Sequence, residues 1–208
     1  MTARIEPLRV RDAAAVGRLL ADSHHDYPAY QALWPKPGVR ARVLRGYLTA
    51  IARDAAVWGG AVLAKDGRDV VGATLWLPPG RYPLTWSRKL RMTSAMLRMV
   101  SAGPARAASF ALLGARMARG NWTEPTWYLR AMGVHPDARR RGVGSLLLAP
   151  VLARADEEGA WCRLDISDPA GVHFLQRYGF MLCGTEVTVR GRGGAESASY
   201  LAMARPPG

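Results

Sequence analysis

Val134-His135-Pro136-Asp137-Ala138-Arg139-Arg140-Arg141-Gly142-Val143-Gly144-Ser145-Leu146-Leu147 is the stretch that decides the fold. Ahead of it, Trp127-Tyr128-Leu129-Arg130-Ala131-Met132 reads as a strand. Behind it, Val143, Leu146, Leu147 and Val151 follow helical spacing. The order is therefore strand, basic glycine turn, helix. Such a turn aims unpaired backbone N–H groups outward at a helix N-terminus, where the helix dipole favours negative charge. Gly142 and Gly144 remove side chains that would hold a phosphate off the backbone. Arg139, Arg140 and Arg141 add planar cationic donors suited to phosphate oxygens. The chemistry is that of a diphosphate cradle. A dinucleotide fingerprint would need G-x-G-x-x-G and a P-loop would need G-K-[ST]; the turn has neither.

What it has is Arg139-x-x-Gly142-x-Gly144. This resembles the acetyl-CoA signature [RQ]-x-x-G-x-[GA] of the GNAT superfamily of N-acetyltransferases. The surroundings resemble that family too. The preceding strand ends in Gly133-Val134-x-Pro136, and a later strand, Cys162-Arg163-Leu164-Asp165-Ile166-Ser167, runs into Asp168-Pro169. The next helix closes on Arg177-Tyr178-Gly179-Phe180. Together these features cover about residues 125 to 182. Asp26-Tyr27-Pro28-Ala29, Pro150 within the central helix and the C-terminal half are similar to the puromycin N-acetyltransferase-like branch.

The resemblance implies an α/β fold with a single domain over residues 1–208. Its mixed central sheet would have about six or seven strands, helices on both faces, and a gap between the strands flanking the central helix. It implies acetyl-CoA as co-substrate, held by Met132, Gly133, Val134, Arg139 to Arg141, Gly142, Val143, Gly144, Ser145 and Phe174. It implies direct attack of an amine on the thioester, with a backbone N–H at Met132, Gly133 or Val134 receiving the oxyanion. The junction of the first two helices would wall the acceptor site, which makes Asp26, Tyr27, Tyr30 and Trp34 the substrate-side candidates. One departure stands out: Leu175 occupies the position where the family commonly carries a tyrosine acid. Tyr178 and His173 are the neighbours that could take its place. No carboxylate lies on the strand before the turn, so the base is open among Glu124, Asp26 and ordered water.

Length and composition set the bounds. At 208 residues and 49% hydrophobic, the chain fits one globular domain with a real core. It shows no signal-like segment and no apolar run of about 18 residues, so a cytoplasmic protein without a membrane span is expected. Cys162 and Cys183 have no metal-ligand partners nearby in sequence and read as free thiols; no metal is expected. The net charge is +13, yet lysine occurs only at Lys36, Lys65 and Lys89. The excess is arginine, scattered rather than interleaved with stacking aromatics, which argues against nucleic acid. The partner expected is a small-molecule amine.

Along the chain, residues 4 to 10 alternate like a strand, and Asp12 can cap a helix carrying Ala15, Val16, Leu19 and Leu20. His24 and His25 fall in a polar, aromatic loop, and a second helix runs from near Gly38 to Arg53. Ala56–Lys65 and Asp69–Leu77 pair through an Asp66-Gly67 hairpin turn. No acidic residue occurs between Asp69 and Glu124, while basic residues recur from Arg81 to Arg119. Residues 81 to 120 read as two helices broken at Gly103-Pro104. They could lie on an anionic membrane, cover the acceptor cleft or form a homodimer contact. Pro150 should mark a kink in the crossover helix. Phe180–Val189 and Ser197–Ala204 close the sheet, joined by a plain connection at Arg190–Gly194. Two other functions remain in play: a non-catalytic acyl-CoA binder or sensor, and a protein or peptide N-acetyltransferase.

Overall fold

The structure is a computed structural model and describes residues 3–118, 123–184, 187–189 and 198–208. The chain opens with β1 (Arg4–Pro7), α1 (Ala13–Ser23), α2 (Pro28–Leu33) and α3 (Pro37–Ala55). The hairpin β2 (Val62–Asp66) and β3 (Asp69–Leu77) follows, then α4 (Trp86–Arg91), α5 (Thr93–Ala102) and α6 (Pro104–Met117). β4 (Thr126–Val134), α7 (Val143–Glu157), β5 (Trp161–Ile166) and α8 (Pro169–Gln176) form the centre. The short β6 (Met181–Leu182), β7 (Val187–Val189) and the longer β8 (Ala198–Arg205) complete it.

One mixed sheet runs β1-β2-β3-β4-β5-β8-β6, with β7 also on β8. Every neighbour is antiparallel except β4 and β5, which α7 joins as a parallel crossover. The Asp66-Gly67 turn forms as expected, Gly67 taking a positive φ of 61°. The final strand pair is more broken than its sequence suggests, because β6 and β7 each pair separately with β8. The Arg190–Gly194 connection lies outside the described residues. So does Arg119.

Two apolar layers sandwich the sheet. Val16, Leu20, Leu44, Leu48, Leu75 and Ala131 pack under α1 and α3. Trp76, Trp127, Leu148, Leu152, Leu175 and Phe180 pack under α7 and α8. Several local expectations shift. Asp12 does not cap α1 by its side chain; its carboxylate instead accepts the Arg9 N–H at 3.2 Å and closes the 3-10 turn ahead of α1. Pro28 at the first helical position starts α2 inside the stretch expected to be loop. Residues 81–118 make three helices rather than two, with Gly103 and Pro104 dividing α5 from α6 as expected. They pack on the α3 side through buried Met92, Met99 and Leu113. Arg88 donates two charge-assisted bonds to Asp54 of α3, Nε to Oδ1 at 2.9 Å and Nη2 to Oδ2. No helix among the described residues is long and apolar enough to cross a membrane.

α7 continues on both sides of Pro150. The ring leaves the Leu146 carbonyl without its helical donor, but Leu146, Ala149 and Pro150 all face solvent, where water can serve.

Two irregularities position the site. Register passes from Leu75↔Ala131 to Trp76↔Leu129, so Arg130 is the extra residue of a β-bulge. And β4 pairs β5 only from Thr126↔Trp161 to Leu129↔Leu164. Beyond that pair β4 stays with β3 and β5 with β8, and the two strands part.

Candidate active site

The cradle forms at the end of β4. Arg139 donates Nε to the Val134 carbonyl at 3.2 Å and folds the loop back onto the strand. Arg140 has φ 56°, rare for a residue with a Cβ, and Gly142 follows at φ 79° as the N-cap of α7. Such alternation turns successive N–H groups to one side, the geometry of an anion nest. Val143, Gly144 and Ser145 then present the leading N–H groups of the helix, which have no partners within it. A Cβ on Gly142 would meet nothing within 4 Å. One on Gly144 would come 3.0 Å from the Phe174 ring and 3.3 Å from Met132 Cε. Gly142 is thus required by conformation and open to a ligand, and Gly144 by packing. The donor set fits a diphosphate.

The gap between β4 and β5 leads inward from that loop. His135 N–H bonds Val71 O at 2.9 Å, so alternation sends the Gly133 amide toward β3 as well. The amides of Met132 and Val134 therefore face the gap, where β5 has departed. Gly133 instead turns its Cα toward α1, where an added Cβ would lie 2.2 Å from Ser23 Oγ.

The gap opens into a cleft of about 1200 Å³ between the sheet and α4–α6. Its polar floor joins α3, β4, β5 and the segment before α4. Tyr82 stacks on Tyr128 of β4, centroids 3.7 Å apart and planes within 4°. The Tyr128 hydroxyl donates to Asp165 Oδ2 of β5 at 2.6 Å. Arg163 Nη2 lies 4.0 Å from Asp165 Oδ1. Arg130 of β4 donates from Nη2 to the Tyr47 hydroxyl of α3 at 3.0 Å, its guanidinium 6.0 Å from the Tyr82 ring. Burial raises the Asp165 carboxyl above the usual carboxylate range, while Tyr128 and Arg163 pull the other way. Burial also pushes the Tyr128 and Tyr82 phenols up. On Arg130 burial alone would lower the pKa, but Tyr47, Tyr128 and Tyr82 outweigh it and hold the guanidinium above its ordinary value.

Near the cradle, His24 is buried and bonds Leu20 O through Nδ1 at 2.8 Å. A carbonyl only accepts, so Nδ1 carries the proton and Nε2 is bare. Burial brings this imidazole down to about 4. Its ring lies 4.4 Å from Tyr27, whose phenol burial pushes up to about 12. Among the described residues, no group of His, Cys, Asp or Glu could hold a metal. Burial pushes the Cys162 thiol up to about 12, so it is not a reactive thiolate.

The acetyltransferase (GNAT) family matches this chain over residues 23–180. The chain belongs to that family. It is also similar to solved structures along its whole length. One is described as histone acetyltransferase HPA2 and related acetyltransferase from Corynebacterium glutamicum: TM-score 0.68, 24% identity, 100% of this chain and 98% of that one. Another is arylalkylamine N-acetyltransferase 2 from Aedes aegypti: TM-score 0.68, 14% identity, both chains covered in full. A third is a GNAT superfamily phosphinothricin acetyltransferase from Sinorhizobium meliloti, in complex with AcCoA: TM-score 0.58, 18% identity, 100% and 90% covered. At these identities the likeness is one of fold.

Within this GNAT fold the residues singled out in the sequence fall into groups. Met132, Gly133, Val134, Arg139 and Phe174 line the cleft. Arg140, Arg141 and Gly142 are exposed along the loop that reaches the start of α7. Leu175, in the usual acid position, is buried and lines the cleft. Tyr178 packs on Phe174 and donates to Ser145 Oγ in the first turn of α7. His173 is exposed and turns back to its own Pro169 carbonyl at 2.9 Å, outside the cleft lining. Tyr27 and Tyr30 line the cleft, as does Asp26, which is mostly exposed and pairs with His25 at 2.9 Å. Trp34 does not: it is core, 1% exposed, against Phe110. The sequence reading missed Tyr47, Tyr82, Tyr128, Arg130 and Asp165. A signal existed for three of them, since Tyr128, Arg130 and Asp165 are polar positions inside the two strands expected at the centre of the sheet.

Proposed function

We propose that this protein is an acetyl-CoA-dependent N-acetyltransferase of small-molecule primary amines. One observation carries the reading. A continuous channel runs from a diphosphate cradle, through the parted strands, to a cleft floored by a buried carboxylate and phenol. The family supplies acetyl-CoA as the acyl donor, whose thioester is the electrophile. Arg139, the Arg140–Gly142 loop and the N-terminus of α7 bind its diphosphate. The Met132 amide faces the gap and serves as the oxyanion donor, with Val134 beside it.

Asp165 and Tyr128 act on the acceptor. An amine must lose its proton to attack. The Tyr128 oxygen takes that proton as it passes its own to Asp165, whose raised affinity for protons suits it to the role. Asp165 displaces Glu124 and Asp26 as the base of choice: Glu124 is exposed and Asp26 is engaged with His25. For the leaving thiolate, Tyr178 with Ser145 is the hydroxyl pair at the cradle end, and a thiolate is a tolerable leaving group without it. The helices α4–α6 roof the cleft, which favours small acceptors over protein termini. Pro28 opening α2 and Pro150 inside α7 keep the puromycin N-acetyltransferase-like branch as the subgroup of choice.

The test is incubation of the purified protein with acetyl-CoA and a broad panel of amines, following free thiol and acetylated product by mass. Time-dependent thiol release matched by N-acetyl product is expected. CoA binding without product on any amine would overturn the assignment in favour of a non-catalytic binder.

A further inference from the structure

The N-acetyltransferase reading leaves the acceptor unnamed, and the cleft's charge balance narrows it. Resting on that reading, we propose that the acceptor amine also carries an oxyanion, a carboxylate or phosphonate, and that Arg130 binds it.

The acidic side chains that line the cleft are engaged. Asp22 pairs with Arg45 at 3.6 Å, and Asp26 with His25 at 2.9 Å and Arg40 at 3.7 Å. Asp168 caps α8, accepting from Ala170 and Gly171 N–H. Asp165 accepts from Tyr128 and lies near Arg163. Arg130 differs. It lines the same cleft, part-buried on its floor, and among the described residues it donates to a neutral phenol, Tyr47, and the groups that act on its charge are the phenols of Tyr47, Tyr128 and Tyr82 rather than a carboxylate. A guanidinium has five N–H donors in a fixed fork. The donors that Tyr47 does not engage are not sealed in the core but open to the cleft, where an acceptor's oxygens can meet them. The bulge puts Arg130 there: the extra residue in β4 sets Arg130 and Ala131 together on the α3 side, so the cation rises between Tyr47 and the Tyr82 ring.

Arg130 and Asp165 flank one stacked pair, Tyr82 on Tyr128. A molecule lying across that pair can present its amine to Tyr128–Asp165 and its oxyanion to Arg130. A fork of N–H donors matches both oxygens of a carboxylate or two of a phosphonate. A polycationic amine would bring a second positive charge to a cation with no counter-charge beside it, and is disfavoured.

The experiment compares kcat/KM for matched acceptors: amino acids against their neutral amides, and aminoalkyl carboxylates and phosphonates against alkylamines and diamines of equal length. Acids are expected to outrun their neutral partners by roughly ten- to a hundredfold, the worth of a charged hydrogen-bonding contact. Arg130→Gln is expected to collapse the acid-to-neutral ratio toward one, and Arg130→Lys to restore part of it. Tyr47→Phe keeps the charge and is expected to keep the ratio, so a fold damaged by Arg130→Gln does not hide the answer. The carboxylate and phosphonate arms tell which oxyanion is preferred. Neutral amides or diamines turned over as fast as acids by the wild type would overturn the inference, as would equal losses on both classes in Arg130→Gln. In either case the acetyltransferase reading stands. No acetylation of any member would instead remove that reading and the inference with it.

Discussion

The two ends of the channel are built from opposite kinds of sequence. The donor end is local: between Val134 and Ser145 the chain makes a strand end, a loop with left-handed positions at Arg140 and Gly142, and a helix start. The acceptor end is assembled from afar. Tyr47 comes from α3, Tyr82 from the segment before α4, Tyr128 and Arg130 from β4, and Asp165 from β5. The first is held by backbone conformation, the second by tertiary packing, and they should fail differently.

The largest effect should come at the acceptor end. Asp165→Asn keeps the shape and removes the base, and a fall in kcat of about 10²–10⁴-fold is expected, with acetyl-CoA binding retained in a fluorescence titration. Loss of acetyl-CoA affinity alone would break the contrast between the ends.

Next comes the roof. The Arg88 and Asp54 side chains are only 4% and 12% exposed, so Asp54→Ala strands a buried cation. A loss of about 3–5 kcal/mol in urea unfolding is expected, together with poorer acceptor KM.

His24, at the junction of the two ends, gives a pH effect of similar or smaller size. The unfolded chain takes up a proton near the ordinary 6.5 and the folded one only at about 4. Between those values the unfolded state holds more protons, so stability falls as pH drops from 6.5 toward 4, by roughly 3 kcal/mol. Unfolding curves at pH 7.5 and 4.5 measure it, and His24→Phe should flatten the difference.

At the donor end, Gly142→Val forces a β-branched residue into φ 79°. A cost of about 1–2 kcal/mol is expected as roughly a five- to thirtyfold rise in KM for acetyl-CoA, with little change in discrimination between acceptors. Smallest, Tyr47→Phe removes one bond to Arg130 and should cost about 1 kcal/mol or less in acceptor kcat/KM.

That contrast also explains what could be read from the sequence. The cradle was legible because its chemistry needs particular residues at fixed spacing: glycine where φ is positive, arginine beside it, and a helix start next. The β2–β3 hairpin, the crossover, and the α8 start at Asp168-Pro169 were legible for the same reason. For His173 and Trp34 the sequence left the side-chain direction open, because position in a motif does not say which way a side chain turns. One proved to be on the solvent face of α8 and the other in the core.

By itself, then, the sequence determined the elements whose signals lie within a few residues: the arginine–glycine turn between strand and helix, most of the order of strands and helices, the mixed sheet and the family. Backbone dihedrals and periodicity are local, and local pattern encodes them. Only the tertiary structure decided the bulge that lifts Arg130, the point past Leu129 and Leu164 where β4 and β5 part, and the meeting of Tyr82, Tyr128 and Asp165. Register and side-chain facing depend on which strands pair and what packs above them, and residues as distant as 47 and 130 carry no local record of becoming neighbours.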